Sequence, residues 1–223
     1  MATVYYLGDF ADRCRIGVDS FWLPDGKVAF AQTAGGAPVR SQTAGRFWTG
    51  SVSLVPHYPD EQREIVSIIH ALQEVDAWFN VLDPKRKFPR LDPGGDALGS
   101  ATPTLGAVAG DGKSLDLDGL PVAYRLRPGD RLSFSYASGP VRIAYHEVLT
   151  SHQAGAGGGI GGMQVVPAVR PGWAAGAAVT LVRPACRAMM IPGSVRPGTR
   201  AGGNPGIEQG FSFDWVQVLG TPV

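Results

Sequence analysis

One amphipathic helix set between two strand-like runs constrains this chain more than any other feature. It lies in Arg46–Asp83, which reads RFWTGSVSLVPHYPDEQREIVSIIHALQEVDAWFNVLD. Trp48, Val52 and Leu54 fall on one face of the first run, with Thr49, Ser51 and Ser53 on the other. This is the period-two alternation of a half-buried strand. Pro56 ends that run. Proline suits a first helical position, so the helix is expected to start near Pro59. Asp60 and Glu61 then occupy the first turn, where the helix dipole favours negative charge. Ile65, Ile68, Ile69 and Leu72 recur at the spacing of a core-facing stripe. Val75–Leu82 returns to strand character, and Asp83-Pro84 stops it.

The rest of the chain reads as short strands cut by glycine and proline. The 223 residues include 31 glycines and 18 prolines, about a fifth of the total. Candidate strands are Thr3–Leu7, Val28–Ala31, Leu115–Leu120, Val122–Leu126, Leu132–Tyr136, Val141–Thr150, Met163–Val169, Ala177–Val182 and Phe211–Leu219. Leu132, Phe134 and Tyr136 alternate with serines, and Phe211, Phe213 and Trp215 alternate with Ser212 and Asp214. Strands at such spacing predict a mainly β protein, a sandwich or barrel with one flanking helix at about residues 60–75. Two portions are expected, 1–99 and 100–223, unless they form one continuous domain.

Hydrophobic residues make up 44%, enough for a core, and charged residues only 17%. The net charge of +1 gives no sign of a basic nucleic-acid binder or a polybasic membrane binder. The N-terminus shows no basic segment leading into an apolar one, and no run approaches the ~18 apolar residues of a membrane span. A soluble protein made in a cytoplasm is expected, unless it is carried out within an assembly. Cys14 and Cys186 are far apart and read as buried free thiols rather than a disulfide framework.

Candidate chemistry is sparse. Gly157, Gly159 and Gly162 match GxGxxG, but a dinucleotide site needs a helix after it, and Met163–Pro167 reads as a strand. The glycine run 155–162 is instead expected to be a flexible tip between the paired strands Val141–Thr150 and Met163–Val169. His57, His70, His146 and His152 have no metal-ligand spacing. Asp111, Asp116, Asp118 and Asp130 read as turn and loop aspartates, with a hydrolytic carboxylate pair as the alternative. Phe47, Trp48, Trp78, Phe79, Phe211, Phe213 and Trp215 read as core and interface residues rather than base-stacking platforms. Residues 85–112 lose periodicity. There Lys85, Arg86, Lys87 and Arg90 form either a solvated loop or a basic contact for an acidic partner. No catalytic, cofactor or metal residue is assigned.

Several motifs in order resemble the distal tail and minor tail proteins of siphophage-like bacteriophages, prophages and gene-transfer particles. They are the aromatic strand FWTGSVSL (residues 47–54), the helix leading through Leu72 and Phe79 to Asp83-Pro84, and LDLDGLPVAYRLRPGDRLSF (residues 115–134). MQVVPAVRPGWAAGAAVTLVRPACRAMM (residues 163–190) and the closing GFSFDWVQVL (residues 210–219) complete the series. The resemblance covers the chain from about Phe47 onward. The family pattern has a glycine after Leu72, which is replaced here. The resemblance implies a non-enzymatic virion protein at the tail tip, a tube-like β-sandwich or barrel beside one helix. It implies a ring, usually of six copies, joining tail tube to hub or fibre proteins around the channel that passes DNA, without membrane contact. Lys85, Arg86, Lys87, Arg90, Gly157, Gly158, Gly159 and the segment from Pro192 to Gly206 are the expected subunit contacts. A carbohydrate-binding β-sandwich at the tail tip is the alternative.

Overall fold

A computed structural model of the chain describes residues 4–6, 10, 12, 16–26, 28–32, 35–42, 45–54, 59–137, 139–200 and 208–220. Cys14, His57, Pro56, the ends of Thr3–Leu7 and residues 201–206 of the proline- and glycine-rich segment lie outside them. The protein is mainly β, with one α-helix among the described residues. Among the described residues there are two six-stranded sheets and three two-stranded ones, and one six-stranded sheet curls into a nearly closed barrel.

The helix spans Pro59–Leu72, with Asp60 and Glu61 in its first turn as expected. Ile65, Ile69 and Leu72 are buried in one hydrophobic cluster, and Ile68 packs against it. The helix thus seats on the aromatic core that Trp48, Phe79, Phe213 and Trp215 build. Beyond it, Gln73 and Glu74 donate backbone hydrogen bonds to the carbonyls of Ile69 and Ala71. Glu74 is not among the residues with positive φ. The turn therefore does not require glycine at position 74.

The first sheet runs in the order Val4–Tyr5, Trp78–Val81, Cys186–Met190, Ser212–Gln217, Thr49–Leu54, Ile16–Trp22. Its strands come from both ends of the chain. In Ser212–Gln217, Phe213, Trp215 and Gln217 are buried while the residues between are only partly so, and Val52 sits opposite Phe213. Cys186 is buried and unpaired, and burial pushes its thiol up, which keeps it unreactive.

The second sheet runs Val179–Thr180, Arg131–Tyr136, Arg142–Val148, Ile160–Val166, Ser114–Asp118, Thr104–Val108. All of its strands lie between residues 104 and 180, and they enclose a second cluster that includes Leu105, Leu117, Leu132 and Val148. The chain crosses into this unit near residue 99 and crosses back between Thr180 and Cys186. The last long strands then rejoin the first sheet. The second unit is therefore an insertion, bounded by two crossings rather than running from 100 to the end.

One expected alternation fails in an informative way. In Arg131–Tyr136, Leu132, Phe134 and Tyr136 face the second core, but Arg131 and Ser133 are buried as well. Arg131 pairs with Glu147 and Ser133 with Tyr145 on the neighbouring strand. Tyr145 belongs to the first cluster. This hairpin has the second core on one face and the first core on the other.

Candidate functional site

The junction of the two units carries the chain's most unusual electrostatics. Arg131 is 2% exposed. Its guanidinium carbon lies 4.2 Å from the centre of the Trp48 ring, with Phe21 and Tyr145 at 5.9 and 5.8 Å. Nη1 is 2.7 Å from Glu147 Oε2, and Nη2 is 3.8 Å from Asp83 Oδ2. Nε and Nη1 nonetheless form no well-aligned hydrogen bond. Proximity and charge, rather than ideal fork geometry, hold the guanidinium. Trp48 fastens the same place by donating from Nε1 to the Tyr145 carbonyl at 3.0 Å, while its backbone N–H donates to Gln217 Oε1.

Arg86 completes this network, at 3.4 Å from Glu147 and 3.9 Å from Asp83. It was expected as a subunit contact, and the fold places it in an intramolecular ion-pair group. Lys85, Lys87 and Arg90 remain exposed on the same loop. The loop is ordered by its carboxylates. Asp92 accepts from the amides of Ala97 and Leu98 and from the Tyr124 hydroxyl. Asp130 accepts from the amides of Arg90 and Arg127. Asp111 and Asp116 likewise accept backbone bonds, from Lys113 and Gly162. Each does the work of a turn carboxylate.

The glycine run is folded back on its own unit. Gly155 donates to the Gly159 carbonyl, and Leu120 donates to the Gly158 carbonyl. Gly158 is buried at φ +73°, and a Cβ there would collide with the Leu120 carbonyl oxygen. Gly157 is exposed and Gly159 half-buried. The run leads into the strand Ile160–Val166, not into a helix.

A groove of about 600 Å³ opens beside the junction. Gly45 and Arg46 of the first unit line it, facing residues 164–171 and Asp111, Lys113, Ser114 and Leu149 of the insertion. Arg170 is pinned in its wall, its guanidinium 4.5 Å from the Phe47 ring centre and donating to the Arg46 carbonyl. Arg46 itself donates to the carbonyls of Leu23 and Pro24. A small cavity of about 10 Å³ shares Arg46, Pro167, Ala168 and Arg170 with the groove. Tyr136, Tyr145 and His146 also line it, and their hydroxyls and Nε2 find no partner among the described residues. His146 Nδ1 lies 2.7 Å from the Pro167 carbonyl, which only accepts, so Nδ1 carries the proton. Burial and, to a lesser extent, the Arg170 charge push His146 down to about 4. The ring is neutral at pH 7. Sequence spacing gave no signal for this groove, because its walls come from segments far apart in the chain. Among the described residues no group of three or more potential ligands is arranged to hold a metal ion.

The geometry leads to two tests. Arg131 is buried and Arg86 is 44% exposed, yet both approach Glu147. Glu147→Gln leaves the buried guanidinium undercompensated and is expected to cost about 3–5 kcal/mol. Arg86→Gln removes only an exposed arm and is expected to cost under ~1 kcal/mol. Urea unfolding of both variants measures the difference. His146 has the opposite sign from a salt-bridged histidine. Its folded pKa, about 4, lies below the unfolded value of about 6.5, so the unfolded chain binds the extra proton first. The contribution is intact above pH 6.5 and is lost as pH falls towards 4. Between pH 7 and 5 the wild type should lose about 2 kcal/mol more than His146→Asn, whose amide can still donate to Pro167. Urea melts of both proteins at the two pH values check this.

No family model matches this chain, and none of the curated proteins compared with it matches either.

Proposed function

We propose that this chain is a non-enzymatic structural protein of a phage-like tail tip, assembling into a ring between tail tube and hub. The observation that carries the reading is the order of tail-protein-like motifs from Phe47 to Leu219, set on a mainly β fold with one flanking helix among the described residues. The edges of the first sheet support it. Ile16–Trp22 stands at one end of that sheet and pairs only with Thr49–Leu54 among the described strands. It ends on Trp22, which is 71% exposed, and Tyr6, next to the other edge, is 61% exposed. Open edges bearing large apolar side chains are what repeated head-to-tail contacts use, and such contacts close into a ring when the rotation allows. The titratable groups fit a scaffold: Asp92, Asp130, Arg131 and His146 are committed to loops and to the junction.

In this reading the ring encircles the DNA path, the tube packs on one side, and hub or fibre proteins pack on the other. Lys85, Lys87, Arg90 and Gly157 are contact candidates on the surface, with half-buried Gly159 beside them and the described part of the segment from Pro192, while Arg86, though partly exposed, and Gly158 serve the fold of their own subunit.

The test is solution mass by light scattering over a wide concentration range, with electron microscopy of the same samples. Rings of six or a concentration-dependent ladder are expected. Trp22→Asp should shift the distribution towards monomer without lowering the melting temperature. An unchanged distribution in Trp22→Asp would remove this edge from the contact. A wild type that stays monomeric at all concentrations, alone and with tail-tube protein added, would remove the ring.

A further inference from the structure

We infer that the groove between the two units is a docking site for an extended polypeptide segment of a different protein, one carrying a carboxylate flanked by apolar residues. The inference does not depend on ring formation.

Charge complementarity selects the carboxylate. Among the described residues three cations line the groove, Arg46, Lys113 and Arg170, against one carboxylate, Asp111. Among the described residues neither Arg46 nor Arg170 has a carboxylate within ion-pair distance. Arg170 is also held ready: stacked on Phe47 at 4.5 Å and anchored on the Arg46 carbonyl at 3.5 Å, it has lost much of the freedom that binding would otherwise cost.

The wall beside these charges selects an extended main chain with apolar side chains. Residues 164–171 are largely aliphatic, and Leu149 is 46% exposed at the groove. Ala168 is exposed, and its backbone N–H and C=O make no hydrogen bond among the described residues. An unpaired donor and acceptor at an exposed residue just past the end of the strand Ile160–Val166 are satisfied by a main chain laid alongside, which gives affinity through main-chain bonds and specificity through side-chain pockets. Among the described residues no aromatic ring lines the groove, which favours a polypeptide over ligands that stack on aromatic faces. The volume of about 600 Å³ is ample for a few residues.

The probe is a library of random decapeptides, selected by display against the full-length protein. Enriched sequences are expected to contain Asp or Glu next to Val, Ile, Leu or Pro. A selected peptide should bind Arg170→Gln and Leu149→Glu at least about tenfold more weakly than wild type. Leu149 is a partly exposed rim residue, so the second variant keeps the test valid if the first fails to fold. Replacing the acidic residue of the peptide by its amide should produce the same loss. The inference is overturned if nothing is enriched, if the enriched peptides lack an acidic residue, or if they bind both variants as well as wild type. It is also overturned if Leu149→Glu instead abolishes self-association of the wild-type chain, because the occupant is then a second copy.

Discussion

A buried guanidinium sits at the centre of the junction between the two units, beside the hydrogen bond from Trp48 to Tyr145. Removing Arg131 from water costs several kcal/mol, and one carboxylate at imperfect geometry does not repay that. The fold surrounds it with Glu147, Asp83 and the face of Trp48, whose ring attracts a desolvated cation by about 2 kcal/mol. These groups come from both units. Trp48 and Asp83 belong to the segment around the helix, and Arg131 and Glu147 are opposite residues of the inserted hairpin. The insertion can seat on the aromatic core in one orientation that satisfies the charge, and a slip of one residue in that hairpin would bury Arg131 without its carboxylates. The groove beside the junction, with Arg170 in its wall, exists because the seating is fixed.

Much of the first unit was legible in the sequence. The proline start and the isoleucine stripe predict a helix at about residues 60–75, which the fold realises as Pro59–Leu72, and the aromatic alternation of Phe211, Phe213 and Trp215 marks a half-buried strand whose inner face is the core. These are local periodic signals, and a local signal survives folding when one face meets a core and the other does not. Where both faces are covered, the signal misleads. Serines at 133 and 135 make Leu132–Tyr136 look half exposed, yet Ser133 is buried because the hairpin lies between two cores. The return of residues 186–217 to the first sheet was hidden for a related reason. Period-two patterning identifies a strand but not its partner.

The contact residues were harder still to read. Arg86 and Lys85 are neighbours in a basic run, and only the distance to Glu147, far along the chain, separates an internal ion pair from a free surface charge. Gly157 and Gly158 are adjacent in a run that reads as mobile, but one is exposed and the other is held under Leu120 by a left-handed backbone. Composition measures how many turns a chain needs, not which of them are packed. The groove is a product of topology alone, and nothing in the spacing of Arg46 and Arg170 brings them together.

For a tail-tip subunit, a rigid two-unit body would let open sheet edges meet neighbours while the junction keeps the insertion at a fixed angle to them. That rigidity is the central physical claim. Scanning calorimetry of the full-length protein tests it most directly. If the Arg131 junction couples the units, unfolding is a single transition whose calorimetric and van't Hoff enthalpies agree. Two resolved transitions, one for each hydrophobic core, would contradict the account.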